Sequence, residues 1–177
     1  MNPVALITGG GTGIGAATAR RLAGQGYDVV LAGRRREPLE QTAAAIGPGA
    51  TALTMDVTDS ASVAAGLATL TRLDVLVNNA GGALGTETFE LARIEDWETM
   101  YATNVLGTLR VTQAALPLLR ESPHATVVNI GSVAGEVTYE GGAGYTAAKH
   151  AEHAITSTLR LELNGTHIRV VEIMPGM

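Results

Sequence analysis

A glycine-rich turn near the N-terminus constrains the fold of this chain more than any other part of its sequence. The apolar run Val4-Ala-Leu-Ile7 is typical of a strand that is buried on both faces. It leads directly into Thr8-Gly-Gly-Gly-Thr-Gly-Ile-Gly15, after which residues 16–23 have the pattern of a helix that ends at Gly24. The order of strand, glycine turn and helix predicts an α/β fold built on a parallel sheet.

The glycines of this turn allow the backbone to bend sharply and to approach an anion. A pyrophosphate lies favourably at the N-terminus of the helix that follows such a turn. The spacing is Gly-x-x-x-Gly-x-Gly rather than Gly-x-Gly-x-x-Gly counted from the same first glycine. A tight structural turn is the alternative, but the flanking strand and helix favour nucleotide binding. The residues expected to border the nucleotide here are Gly9, Gly11, Thr12, Gly13, Ile14 and Gly15.

Strand and helix patterns alternate along the rest of the chain. Apolar residues make up 46% and charged residues 16% of the 177 residues, a composition typical of a compact domain. We therefore predict one dinucleotide-binding domain over residues 1–177, a Rossmann-type doubly wound parallel sheet with strand order 3-2-1-4-5-6. The predicted strands are 4–7, 27–32, 50–55, 73–77, 125–130 and 168–173. The predicted helices are 16–23, 37–46, 60–71, 94–120 and 145–163, with a glycine-rich loop at 133–144.

The end of the second predicted strand carries arginines where a dinucleotide site commonly has an acid. That acid binds the ribose 2′-hydroxyl of NAD, but here the sequence is Gly33-Arg-Arg-Arg36, and Glu37 comes later. Arg34 and Arg35 are suited to hold a 2′-phosphate, which favours NADP(H) as the cofactor. The alternative is that they form a basic start to the next helix, which the helix dipole disfavours.

Polar residues follow the third and fourth predicted strands. Asp56, with Val57 beside it, could bind the adenine amino group, or it could instead cap a turn. Asn79 begins a segment running to residue 82 that should border the cofactor at the switch point of the sheet. The alternative is that Asn78 and Asn79 only form a turn.

Tyr145 and Lys149 provide a candidate for acid–base chemistry. At positions i and i+4 of a helix they project from one face, and a nearby ammonium favours the phenolate of a tyrosine. Ser132 ends the fifth strand, where it could hold a substrate oxygen. A solvated helix pair is the alternative for Tyr145 and Lys149 taken alone. Asn104, in the middle of a predicted helix, is interpreted either as a satisfied polar residue or as a point where the helix opens to hold a water.

Composition and charge exclude several classes of partner. The net charge is −5 with no basic block, so nucleic acid is not expected as a partner. There are no cysteines, and the four histidines form no ligand set, so no metal is expected. We find no signal peptide and no membrane-length apolar stretch, and we expect a cytoplasmic protein with no membrane partner.

The combined motifs resemble the short-chain dehydrogenase/reductase family. The resemblance covers essentially the whole chain and is carried by Thr8-Gly9…Gly13-x-Gly15, Asp56-Val57, Asn78-Asn-Ala-Gly81, Asn104, Ser132, Tyr145-x-x-x-Lys149 and Pro175-Gly176. It implies an oxidoreductase that transfers hydride between NADP(H) and a CH–OH substrate, and a homo-oligomer, either a dimer or a tetramer.

The family resemblance also implies roles for the site residues. Tyr145 is the acid–base, Lys149 supports it and binds the nicotinamide ribose, and Ser132 binds the substrate oxygen. Asn104 holds a water in a proton relay, and Pro175 and Gly176 border the cofactor. Hydride comes from the nicotinamide, so the protein supplies geometry and electrostatics.

A narrower resemblance concerns the substrate. Residues 33–39, 83–85, 95–100 and 139–142 are similar to segments of the NADP-dependent 3-hydroxy acid dehydrogenases, which oxidise serine, allo-threonine and related acids. The alternatives are a ketoreductase for another carbonyl substrate or a non-catalytic NADP-binding protein. Family members normally continue beyond Pro-Gly, so the domain is expected to be C-terminally incomplete at Met177.

Overall fold

A six-stranded parallel sheet forms the centre of the molecule, in a computed structural model that describes residues 2–85 and 87–176. Its strand order is 3-2-1-4-5-6, so the predicted fold class and order are confirmed. Met1 and Met177, the ends of the predicted domain, lie outside the described residues. The strands are β1 (Val4–Thr8), β2 (Asp28–Gly33), β3 (Ala50–Thr54), β4 (Val75–Asn78), β5 (Thr126–Ile130) and β6 (Arg169–Ile173).

Helices connect the strands and cover the sheet. The main ones are α1 (Gly13–Ala23), α2 (Arg36–Ile46), α3 (Ser60–Leu67), α4 (Ile94–Met100), α5 (Thr108–Glu121) and α6 (Ala143–Glu162). A π-helical segment, Tyr101–Gly107, joins α4 to α5. Short 3₁₀ turns occupy Phe89–Leu91 and Val133–Gly135, the second of them inside the loop predicted at 133–144.

Alternating side chains of the central strands build one apolar cluster on each face of the sheet. In β1, Leu6 packs on the face that carries Val111 and Leu119 of α5. Ala5 and Ile7 point to the other face, towards Ala19 of α1 and Leu39 of α2. Strands β1, β2 and β4 are therefore buried on both faces, as their continuous apolar sequences predict. The site lies beyond the carboxyl ends of these strands.

The prediction of one continuous helix over residues 94–120 is wrong in one respect, because a π-helical segment divides this helix into α4 and α5. The amide of Asn104 donates to the carbonyl of Met100 at 2.8 Å, which is the acceptor that the backbone N–H of Asn104 would use in an α-helix. The backbone widens to a π-helix around this residue. Pro117 lies inside α5, which continues to Glu121.

Helix α3 is also shorter than predicted, since it ends at Leu67 rather than at residue 71. The hydroxyl of Thr69 donates to the Gly66 carbonyl at 2.7 Å, so a local side-chain bond turns the chain away. This turn lets Leu70 and Leu73 pack against the core. Helices α1 and α6 start a few residues earlier than predicted, and the strand ends differ by one or two residues.

Candidate active site

A cleft of about 630 Å³ lies at the carboxyl ends of the strands and gathers almost every residue singled out in the sequence. The exception is Gly15, which does not line it. Because β1 and β4 are neighbours in the sheet, the cleft lies at the switch point of the doubly wound fold. The predicted residues that line it are Gly9, Gly11, Thr12, Gly13, Ile14, Arg34, Arg35, Asp56, Val57, Asn79, Asn104, Ser132, Tyr145, Lys149, Pro175 and Gly176.

The glycine turn wraps closely around the start of α1. Gly9 has a φ of +64°, in the left-handed region that favours glycine. A Cβ at Gly15 would meet the Gly9 carbonyl oxygen and, at 2.6 Å, the side-chain nitrogen of Asn79. Gly15 therefore serves the packing beneath the cleft. Helix α1 begins at Gly13, so its N-terminus borders the cleft, where an anion would be favoured.

Thr8 and Asn79 tie this turn to the end of β4. The Thr8 hydroxyl accepts hydrogen bonds from the backbone N–H groups of Asn79 at 2.9 Å and Ala80 at 3.0 Å. The Asn79 amide donates to the carbonyls of Thr8 and Gly9 at 2.9 and 3.2 Å. Asn79 is thus a turn former that also lines the cleft, whereas Asn78 is buried and donates to Thr112 and Asn129.

The basic and acidic residues predicted at the far end of the cleft lie there together. Arg34 and Arg35 are exposed and line it, whereas Arg36 instead contacts Glu40 at 2.6 Å. Asp56 accepts hydrogen bonds from the N–H and hydroxyl of Thr58 at 2.9 and 2.8 Å, so it forms a turn as well as lining the cleft. Partial burial opposes ionisation, but these bonds and the nearby charges of Arg34 and Arg110 hold the pKa of Asp56 below its ordinary value.

Tyr145, Lys149 and Ser132 meet in the same cleft because α6 runs beside the end of β5. Nζ of Lys149 lies 5.8 Å from the centroid of the Tyr145 ring. Ser132 is nearly buried, and its hydroxyl caps a short turn by accepting from the N–H of Ala134 at 3.1 Å. Residues that carry a hydroxyl, a phenol and an ammonium therefore line one cleft, and proton transfer to a bound oxygen uses groups of these kinds.

Lys149 has a partner that the sequence analysis missed. Its ammonium donates to the carbonyl of Ile130 at 2.9 Å and to a carboxylate oxygen of Glu152 at 2.6 Å. Burial raises the pKa of Glu152 above its ordinary value, although the Lys149 charge opposes this rise. The i, i+3 spacing of the two residues on one helix was a signal that could have revealed the pair.

Asn104 is almost fully buried at the edge of the cleft and has polar partners. Besides its bond to Met100, its amide donates to the Gly82 carbonyl at 3.1 Å, and its oxygen accepts from the Gly82 N–H at 3.1 Å. The structure thus supports both earlier interpretations in part, because the side chain is satisfied and the helix opens around it. Its predicted bond to a water stays a prediction.

The comparison with known families agrees with this geometry. A model of the short chain dehydrogenase family matches residues 3–177. The chain belongs to this family. The enzyme class expected from the motifs is confirmed, and the chain is an oxidoreductase of the short-chain dehydrogenase type.

Individual relatives extend along nearly the whole chain. An uncharacterized oxidoreductase of Mycobacterium tuberculosis is 53% identical over 173 residues, which are 98% of this chain and 68% of that protein. The NADP-dependent 3-hydroxy acid dehydrogenase of Escherichia coli is 40% identical over 178 residues, covering 98% of this chain and 72% of the relative. A closed form of serine dehydrogenase complexed with NADP⁺ superimposes with a TM-score of 0.94 at 40% identity, over 98% of this chain and 72% of that one. The NADP(H) prediction agrees with these relatives.

Residues 2–85 and 87–176 contain neither a membrane-spanning helix nor a cluster of metal ligands. No helix in these ranges is both long and apolar enough to cross a bilayer. Nor do three metal-ligating side chains gather anywhere in the same ranges. Of the two histidines that share a face of α6, His150 contacts the carbonyl of Thr146, and His153 pairs with Glu172 at 2.8 Å.

Proposed function

We propose that this protein transfers a hydride between NADP(H) and a small hydroxy acid or secondary alcohol, with Tyr145 as the acid–base. The observation that carries the proposal is the shared cleft. Tyr145, Lys149 and Ser132 line one part of it, and the glycine turn and two arginines line another. A dinucleotide long enough to span both parts would bring its nicotinamide to the tyrosine.

The residues present fit NADP(H). The pyrophosphate would lie at the N-terminus of α1, where a glycine turn keeps Cβ atoms out of its way. The guanidinium groups of Arg34 and Arg35 would hold the 2′-phosphate with bidentate hydrogen bonds. When bound, the nicotinamide supplies or accepts the hydride, while the protein orients the reactants and manages the proton.

The proton moves at the phenol oxygen of Tyr145. In the oxidative direction the phenolate accepts the proton of the substrate hydroxyl, and in the reductive direction the phenol returns a proton to the carbonyl oxygen. The Lys149 ammonium stabilises the phenolate from one side. Ser132 donates a hydrogen bond to the same substrate oxygen and so holds it at a fixed distance. Asn104, at the edge of the cleft, holds a water that exchanges protons with solvent.

The substrate class rests on the relatives. The names of two of them specify a 3-hydroxy acid and serine. In this chain, Ala83, Leu84 and Met100 line the cleft. Assembly as a dimer or tetramer is proposed on the family resemblance alone, and the cytoplasmic location expected from the sequence stays a prediction.

Replacement of Tyr145 by phenylalanine tests the mechanism. The assay follows NADP⁺ reduction with L-serine, L-allo-threonine, 3-hydroxypropionate and simple secondary alcohols, beside an NADPH-binding titration. Tyr145→Phe is expected to lower kcat by about 10²–10⁴-fold because the proton acceptor is lost, while NADPH affinity stays within about threefold.

The control is Tyr139→Phe, which removes a phenol oxygen from an exposed side chain outside the cleft. It should turn over like the unaltered protein. Turnover by Tyr145→Phe at the unaltered rate would refute the proposed mechanism. NADPH binding without turnover of any panel substrate by the unaltered chain would mean that the nucleotide site is intact and that chemistry requires a different substrate or a C-terminal continuation of the domain.

A further inference from the structure

A buried carboxylate stands behind the proposed acid–base pair. Glu152 lies one turn after Lys149 on α6, and its side chain is 3% exposed. It does not line the cleft, so it touches neither the substrate nor the cofactor space. Its oxygen nevertheless lies 2.6 Å from Nζ of Lys149, so that ammonium is its shortest contact with the residues of the site.

Polar and charged groups of α5, β6 and α6 surround Glu152. On α5, the Thr108 hydroxyl lies 3.5 Å from its second oxygen. On β6, Glu172 contributes a negative charge and is itself paired with His153 of α6 at 2.8 Å. Burial raises the pKa of Glu152 above its ordinary value, Lys149 opposes that rise, and Glu172 adds to it. The Lys149 ammonium is therefore the one cation in direct contact with Glu152 among the described residues.

An ion pair this deeply buried is a weak source of stability. Removing two charges from water costs about as much as their attraction returns, so apolar residues of the same volume would serve the fold equally well. A charge at this depth does have a long reach, because few water molecules screen it. The ammonium that it neutralises lies 5.8 Å from the Tyr145 ring.

We infer that Glu152 is a positioning residue for the reaction. Its carboxylate holds the Lys149 ammonium beside Tyr145 and offsets part of its charge, so replacing Glu152 should change the pH dependence of the reaction. The inference rests on the proposed function, in which Tyr145 is the acid–base. It adds a fourth side chain to the Ser132, Tyr145 and Lys149 group, one that acts through its contact with Lys149.

The test replaces the charge while keeping the shape. Glu152→Gln retains an oxygen that accepts from Lys149, and the Ile130 carbonyl remains a second acceptor. The inference predicts that the ammonium then acts on Tyr145 without an offsetting charge. The ultraviolet absorbance of tyrosinate is titrated without cofactor, and the Tyr145 contribution is isolated by subtracting the titration of Tyr145→Phe. Its midpoint is expected to move to lower pH by about one unit.

The same shift should appear in activity. The rising limb of kcat/KM for oxidation, measured with the panel substrate that reduces NADP⁺ fastest, is expected to move in the same direction. Glu152→Asp keeps the charge but is shorter, so its midpoint should stay near the unaltered value while kcat falls roughly tenfold from the less exact placement of Lys149. Glu162→Gln, at the exposed end of α6, makes the same chemical change away from the site and should alter neither quantity.

The outcomes separate this inference from the proposed function. The role of the charge is overturned if the midpoint of the Tyr145 titration does not move in Glu152→Gln, or if it moves equally in Glu152→Gln and Glu152→Asp. This conclusion holds even if Tyr145→Phe is inactive. Full activity of Tyr145→Phe would instead overturn the proposed function. If Glu152→Gln does not fold, Glu152→Asp decides alone, because a displaced midpoint or an unchanged kcat in that variant contradicts the inference.

Discussion

Asn104 and Gly82 form two hydrogen bonds with each other, one in each direction. The Asn104 amide donates to the Gly82 carbonyl at 3.1 Å, and the Gly82 N–H donates to the Asn104 oxygen at 3.1 Å. A third bond joins the same amide to the Met100 carbonyl at 2.8 Å. One side chain therefore holds the loop after β4 against the π-helical segment, and both of these line the cleft.

Replacing Asn104 with alanine should destabilise the protein and weaken the site together. Asn104→Ala leaves the buried carbonyl of Met100 without this partner and removes both bonds to the exposed Gly82, so the free energy of unfolding should fall by about 1–3 kcal/mol in urea titrations. Turnover should fall as well, because the loop loses its anchor. The control Gln113→Ala removes an exposed amide from α5 and should change stability by less than about 0.5 kcal/mol. Equal stability of the two variants would contradict this account.

The preference for NADP(H) should reside in Arg34 and Arg35. Replacing both with alanine removes charge-assisted hydrogen bonds to a 2′-phosphate, so NADPH should bind about 10- to 100-fold more weakly while NADH affinity changes little. Fluorescence titration with each cofactor measures the difference. Arg36→Ala is the matched control, since Arg36 pairs with Glu40 and does not line the cleft. Equal weakening of both cofactors would argue against a 2′-phosphate contact.

Asp74 should make the stability of the protein depend on pH. Burial alone would raise the pKa of Asp74, but bonds from Arg72 at 2.7 Å, Ser122 at 2.6 Å and the Val4 N–H at 2.8 Å hold that pKa below its ordinary value. A carboxyl whose folded-state pKa is lowered contributes stability above its unfolded value of about 3.9 and loses it as the pH falls through the folded value.

Asp74→Asn should therefore cost about 2–3 kcal/mol of unfolding free energy at pH near 7, and the difference should shrink below pH of about 4. Urea titrations at several pH values measure this trend. Glu121→Gln, on the exposed end of α5, is the control and should show no such trend. A difference between Asp74→Asn and the unaltered protein that stays constant into acid would mean that the charge of Asp74 is not the cause.

Local sequence determined most of the fold. The apolar runs of β1, β2 and β4 are buried on both faces as their composition requires, and the glycine turn and parallel order follow from the strand–turn–helix pattern. The residues of the cleft were also predictable, because chain order places most of them at the carboxyl ends of parallel strands. Gly15 differs, since its role depends on how closely Gly9 and Asn79 pack against it.

Tertiary structure decided the features that depend on a distant partner. Residues 94–120 have the periodicity of one helix, but Asn104 binds both the Met100 carbonyl and the loop at Gly82, and a π-helical segment divides the helix around it. Glu152 has a polar side chain that sequence alone would place on a solvated helix face. It is buried because the π-helical segment, Thr108 at the start of α5, and β6 lie against α6, which leaves the Lys149 ammonium as its counter-ion. Sequence thus determined which chemical groups share an element, and packing decided which of them are desolvated and joined.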